Sequence, residues 1–151
     1  MDGGDADTPW VPIEVTTGEW VGWRIWSADP YELLSGPFYC RQAESGAMVC
    51  AFRAEAKHMN GSGFMHGGCL LTFADYALFC IGAEALEGGG SVTASLNGEF
   101  IDAAREGDFI EATGEVVRAG GSLVFIRGLV SSAGRPLLTF SGIVKKMRKR
   151  G

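Results

Sequence analysis

The sequence predicts an α+β domain: a curved antiparallel sheet of about six strands wrapped around one long central helix, with an N-terminal helical segment. Three observations carry that expectation. Residues 69–83 form a run that is apolar on every side when wound as a helix, which marks a core helix rather than an amphipathic surface one. Two strand-like segments precede this run. Four more follow it, with glycine-rich turns between several of them.

Along the chain, residues 1–9 read as a disordered acidic tail. Trp10, Trp20, Trp23 and Trp26 then fall close together, the last three spaced three apart, and predict an amphipathic helix or turn packed over the core. Asp29-Pro30-Tyr31-Glu32 is a helix start: Asp as N-cap, Pro at the first position, Glu at the third. Ser35-Gly36-Pro37 ends that short helix. Strands are expected over 38–43 and 47–55, and the long helix over 68–86, stopped by Gly88-Gly89-Gly90. Alternation then predicts strands over 91–101, 109–118, 123–131 and 137–145, with turns at 119–122 and 133–136. The expected organisation is one domain over 10–146, flanked by the acidic tail and a basic C-terminal tail over 147–151.

Composition removes several function classes. A chain of 151 residues can bury a core without metal or disulfide staples. A net charge of -5 with no interleaved basic and aromatic stretch argues against nucleic acid as a partner. Cys40, Cys50, Cys69 and Cys80 have no C-x-x-C spacing, and two of them lie in the apolar helix, so a reducing cytoplasm is the expected location. The acidic N-terminus lacks the regions of a signal peptide, and the apolar run is too short for a membrane span. No zinc spacing and no Walker or Rossmann glycine pattern occurs, so neither a metal nor a cofactor is expected. His58 reads as a surface or turn residue.

The candidate site starts from Asp75, the only charge in the apolar run. A desolvated carboxylate is costly unless it has a partner or a task. Nine residues earlier stands His66-Gly67-Gly68, where the first N–H groups of the helix lack intrahelical partners and no side chain keeps a ligand away. Such N–H groups suit a carbonyl oxygen that gains negative charge in acyl transfer, and Asp75 suits a general base or nucleophile. Each residue also has a plainer reading: the glycines close a tight turn, and Asp75 is satisfied by Tyr76, Thr72 or backbone. About 12 Å of helix axis separates Gly67 from Asp75 at 1.5 Å per residue. One helix can hardly bring both to one carbonyl, so if both act, Asp75 faces the Gly67 turn of a two-fold-related copy.

The segment from Asn60 through His66-Gly67-Gly68 to Asp75 resembles the hotdog-fold thioesterases, in particular the PaaI-like and THEM-like acyl-CoA thioesterases. The resemblance spans about residues 29–146. It implies a curved sheet around a central helix, homodimers and often homotetramers, and hydrolysis of acyl-CoA to a free acid and coenzyme A. It makes Asp75 the catalytic carboxylate and Gly67 N–H the group that polarises the thioester carbonyl. Asn60 becomes an amide that helps hold water or substrate, beside its reading as a turn residue. His66 shapes the turn or exchanges protons, and Thr93 is an assisting hydroxyl or an ordinary strand threonine. Gly68 and the hairpin Arg118, Gly120, Gly121, Ser122 would contact coenzyme A, with Arg105 and Lys145. Gly121 departs from relatives that carry a basic residue there, and the run after Lys145 equally suits a solvated tail. A non-catalytic acyl-CoA-binding or sensor protein is the competing reading. A hotdog dehydratase would need a His-to-acid pattern that this chain lacks.

Overall fold

The computed structural model describes residues 11–147. The acidic tail, Trp10 and positions 148–151 of the basic run lie outside the described residues. Strands β1 (Ile13–Glu14) and β2 (Arg24–Ile25) precede helix α1 (Pro30–Ser35), and β3 (Tyr39–Gln42) and β4 (Met48–Arg53) follow it. A 3-10 turn (Ala56–His58) leads to α2 (Gly67–Ile81) and the short α3 (Ala83–Leu86). The chain finishes with β5 (Ser91–Phe100), β6 (Phe109–Ala119), β7 (Leu123–Ser132) and β8 (Arg135–Lys146). All eight strands form one antiparallel sheet in the order β1-β2-β3-β4-β6-β7-β8-β5.

The six expected strands are present, and α2 packs against β4 through β8. Its Phe73, Ala74, Ala77, Leu78 and Cys80 are fully buried, as an all-round apolar helix requires. The order differs from a simple meander in one place: β5 crosses to the far edge and pairs with β8, because β4 already occupies the other side of β6. The long helix also breaks. At Gly82 the backbone leaves helical geometry (φ -84°, ψ 0°), capping α2, and α3 restarts the helix there. The left-handed Glu87 (φ 55°) ends it, just before the three expected glycines.

The tryptophan segment follows the turn alternative and not the helical one. It folds as the β1–β2 hairpin rather than a helix, with Trp20 in the connecting turn. Trp20 stacks on Tyr39 at 4.2 Å and on Phe109 at 5.4 Å, and meets Trp23 edge-on at 5.3 Å. Together they cover Ala51, on the face of β4 turned away from the main core. Neighbouring Cys50 and Phe52 point to α2, so β4 is buried on both faces. The three-residue spacing mimicked a helix, but these rings pack on a flat aromatic surface that the sheet supplies. Among the described residues no helix is long and apolar enough to cross a membrane.

Candidate active site

Asp75 sits on the middle turns of α2, half-buried, facing β5. Its Oδ1 accepts a 2.6 Å hydrogen bond from Thr93 Oγ1, so Thr93, rather than Tyr76 or Thr72, is its partner. Thr72 donates instead to Gly68 O, and the buried Tyr76 hydroxyl has no hydrogen bond among the described residues. The second oxygen of Asp75 makes no hydrogen bond among the described residues and is free to take a proton or attack. Burial raises the Asp75 pKa above the ordinary value, the Thr93 hydrogen bond pulls it down, and Asp29 adds a further upward push.

Thr93 reaches Asp75 because β5 carries a bulge between Thr93 and Ser95. Strand side chains alternate, so residues 93 and 100 would otherwise face opposite sides of the sheet. The bulge resets the phase. Thr93 then pairs with the buried Val144 and Phe100 with the buried Leu138, both on the helix side.

The His66 turn lies at the other end of α2. His66 is the N-cap: its Nδ1 accepts the Gly68 N–H at 2.9 Å, which gives the ring a turn-shaping role and occupies the Gly68 donor. Gly67 N–H has no partner among the described residues. It therefore remains an open donor at the positive end of a fifteen-residue helix. An added Cβ on Gly67 would lie 3.2 Å from the Phe100 ring, which places this turn beside the far end of β5.

Asn60 folds the approach to that turn. Its Oδ1 accepts from Ser62 N at 2.9 Å and Phe64 N at 3.2 Å, so the turn reading is satisfied by the carbonyl oxygen, while the side-chain N–H₂ keeps no partner. Arg105 lies over the Phe64 ring at 4.6 Å, at this same end. His58 is buried rather than on the surface. Its Nδ1 accepts from Glu55 N at 2.9 Å, and Nε2 donates to Ser35 O at 2.6 Å, bracing the chain between α1 and the turn.

The remaining candidates stand at the opposite end. Gly120 N donates to Leu123 O in the β6–β7 hairpin, Lys146 N donates to Ser122 O, and Lys145 pairs with both Leu123 and Val92. Arg118, Gly120, Gly121, Ser122 and Lys145 thus lie at the end of the sheet that carries Thr93. Asn60, His66, Gly67, Gly68 and Arg105 cluster with Phe100. Within one chain the candidates fall into two groups at the two ends of β5.

Beside Asp75 opens a cavity of about 370 Å³. Phe79, Leu86 and Trp26 give it apolar walls, Gly88, Gly89 and Ser91 its rim, and Asp29 and Glu32 two further carboxyls. The last two escape a sequence reading because the helix-start signature of α1 accounts for them locally. Their approach to Asp75 depends on how α1 docks against α2.

One curved sheet enclosing one long apolar helix, with a carboxylate on the helix and an open N–H at its start, is the hotdog architecture of thioesterases. The thioesterase superfamily model matches residues 62–139. A candidate esterase of Pseudomonas aeruginosa is 32% identical over 120 residues, covering 79% of this chain and 90% of that protein. Human acyl-coenzyme A thioesterase 13 is 28% identical over 99 residues, covering 63% of this chain and 68% of its own length. A mutant structure of the phenylacetic acid degradation protein PaaI from Thermus thermophilus superposes with a TM-score of 0.68 at 26% identity, over 79% of this chain and all of that one. The chain belongs to the thioesterase superfamily, and thioester hydrolysis is its reaction class.

Proposed function

We propose that this protein hydrolyses acyl-CoA thioesters at a site assembled between two subunits of a homodimer. The name of the human relative supports acyl-CoA as the substrate class. The observation that carries the reading is the split of the candidate residues: an open carboxylate oxygen at one end of β5 and an open N–H at the other.

β5 has an unpaired outer edge over ten residues, and Val92, Phe100 and Ile101 beside it are 46%, 53% and 54% exposed. Such an edge is a template for pairing with another strand. Two β5 strands running antiparallel about a two-fold axis between Leu96 and Asn97 would set Thr93 across from the partner's Phe100. Asp75, bonded to Thr93, then meets the partner's Gly67, which lies against that Phe100. The same operation brings Arg105 and Asn60 of one subunit towards Arg118, Ser122 and Lys145 of the other, so cations approach one ligand from both chains. Residues 10–146 form the domain that makes this dimer, and four unpaired thiols support a reducing, cytoplasmic setting.

In the reaction, the thioester carbonyl oxygen accepts the Gly67 N–H, which stabilises negative charge as it develops. Asp75 either takes a proton from water, which attacks the carbonyl carbon to give the free acid directly, or attacks that carbon itself to form a mixed anhydride, which water then hydrolyses to the free acid and the regenerated carboxylate. The C–S bond breaks with its electron pair on sulfur, and coenzyme A leaves as the thiolate, which takes a proton from protonated Asp75 in the first route and from water in the second.

The test is thiol release from a panel of short, long and aromatic acyl-CoAs. Turnover with at least one member is expected. Tight binding across the panel without release would replace the enzyme with an acyl-CoA-binding protein.

A further inference from the structure

Glu32 is the residue of the Asp75 cavity for which the fold gives no local use. It occupies the third position of α1, where a capping box would turn its carboxyl back to the N-cap N–H. Only half of that box forms. Asp29 Oδ1 accepts the Glu32 N–H at 3.0 Å, but the Glu32 carboxyl makes no hydrogen bond or ion pair among the described residues. It lines the cavity with Asp75 and Thr93 instead.

The groups that act on its carboxyl disfavour a further negative charge. Asp29 faces it from its own helix cap, Asp75 from α2, and the Cys40 thiol from β3. Of the cations on neighbouring elements, Lys57 Nζ donates to Leu34 O at the far end of α1, and Arg24 of β2 stands opposite Cys40 and favours a charge on that thiol. Burial first, then Asp29, Asp75 and Cys40, push the Glu32 pKa up to about 8. Of Glu32 and Asp75, Asp75, whose charged form Thr93 supports, is the better place for a negative charge.

We propose that Glu32 is a positioning residue of the active cavity: it stays neutral beside an ionised Asp75 and so adds no further negative charge to those of Asp75 and Asp29. The inference rests on the role given to Asp75 above. When Glu32 loses its proton, a further carboxylate joins Asp75 and Asp29 around a carbonyl oxygen that must itself become negative, and the barrier to attack rises. The α1 segment is then part of the site rather than packing alone.

Two measurements on the full chain decide this. Carboxyl ¹³C NMR follows Glu32 in wild type and in Asp75→Asn. Thioester turnover against pH, with each protein scaled to its own rate at pH 7, compares wild type with Glu32→Gln. The expected results are a Glu32 midpoint near pH 8 that falls when Asp75 is neutralised, and a wild-type rate that declines above about pH 8 while the Gln variant stays level. A midpoint in the ordinary glutamate range, a midpoint unmoved by Asp75→Asn, or the same alkaline decline in Glu32→Gln overturns the proposal. Absence of any wild-type thiol release counts against the reaction assigned above, and the NMR titration then decides the coupling by itself.

Discussion

Asp75→Asn is expected to reduce thioester turnover by about 10²- to 10⁴-fold, the range associated with losing a positioned general base. The substitution keeps the shape of the side chain and an oxygen that accepts the Thr93 hydroxyl, so it removes charge and little else. Stability is expected to move the other way. Burial raises the Asp75 pKa above 3.8, so the folded state penalises the charged form. The stabilising effect of the neutral form is complete below the unfolded value and is lost as pH rises through the folded one. At neutral pH the Asn variant escapes that penalty, and its melting temperature should equal or exceed that of wild type. For the same reason the acid limb of the wild-type pH–rate profile should lie above the ordinary aspartate range, with activity rising as Asp75 ionises. An Asn variant that is both folded and active at the wild-type rate would remove Asp75 from the chemistry.

Gly67→Pro is expected to lower kcat by about 10²- to 10³-fold, the loss typical of deleting one oxyanion donor. Proline deletes the N–H and nothing else essential at this position. Gly67 is the first residue of α2, where proline is well accommodated, and His66 already has the extended backbone (ψ 133°) favoured before proline. The new ring does approach Phe100, whose atoms lie 3.2 Å from an ideal Cβ. Gly67→Ala brings the same Cβ while keeping the N–H, so it separates crowding from the lost donor. The alanine variant should lose much less activity than the proline variant. Equal losses would assign the effect to packing against Phe100.

How much of this was legible in the sequence follows from the range of the interactions involved. The all-round apolar helix, the alternating strands and the α1 cap are set by neighbours within a few residues, and the structure matches them closely. The tryptophan segment left helix and turn open because Trp20, Trp23 and Trp26 find partners in Tyr39, Phe109 and Tyr76, all distant along the chain. Asp75 was visible as an anomaly, whereas its bond to Thr93 depends on a bulge in a strand eighteen residues away. Glu32 was hidden for the opposite reason: a local helix-start pattern already explained it. The position of β5 at the far edge also lay beyond periodicity, since alternation specifies faces and not neighbours. That position is what separates the candidate residues into two groups.

The central claim is that Asp75 and Gly67 of different subunits serve one thioester, and mixing the two inactive variants tests it most directly. Asp75→Asn and Gly67→Pro proteins are unfolded together, refolded together, and assayed for thiol release beside each variant alone. A mixed dimer carries one site with both groups intact and one site with neither. With random pairing, about half of the dimers are mixed, and about a quarter of wild-type activity should return. If mixed dimers form and activity stays at the level of the separate variants, the two groups do not meet across an interface, and the composite site is wrong.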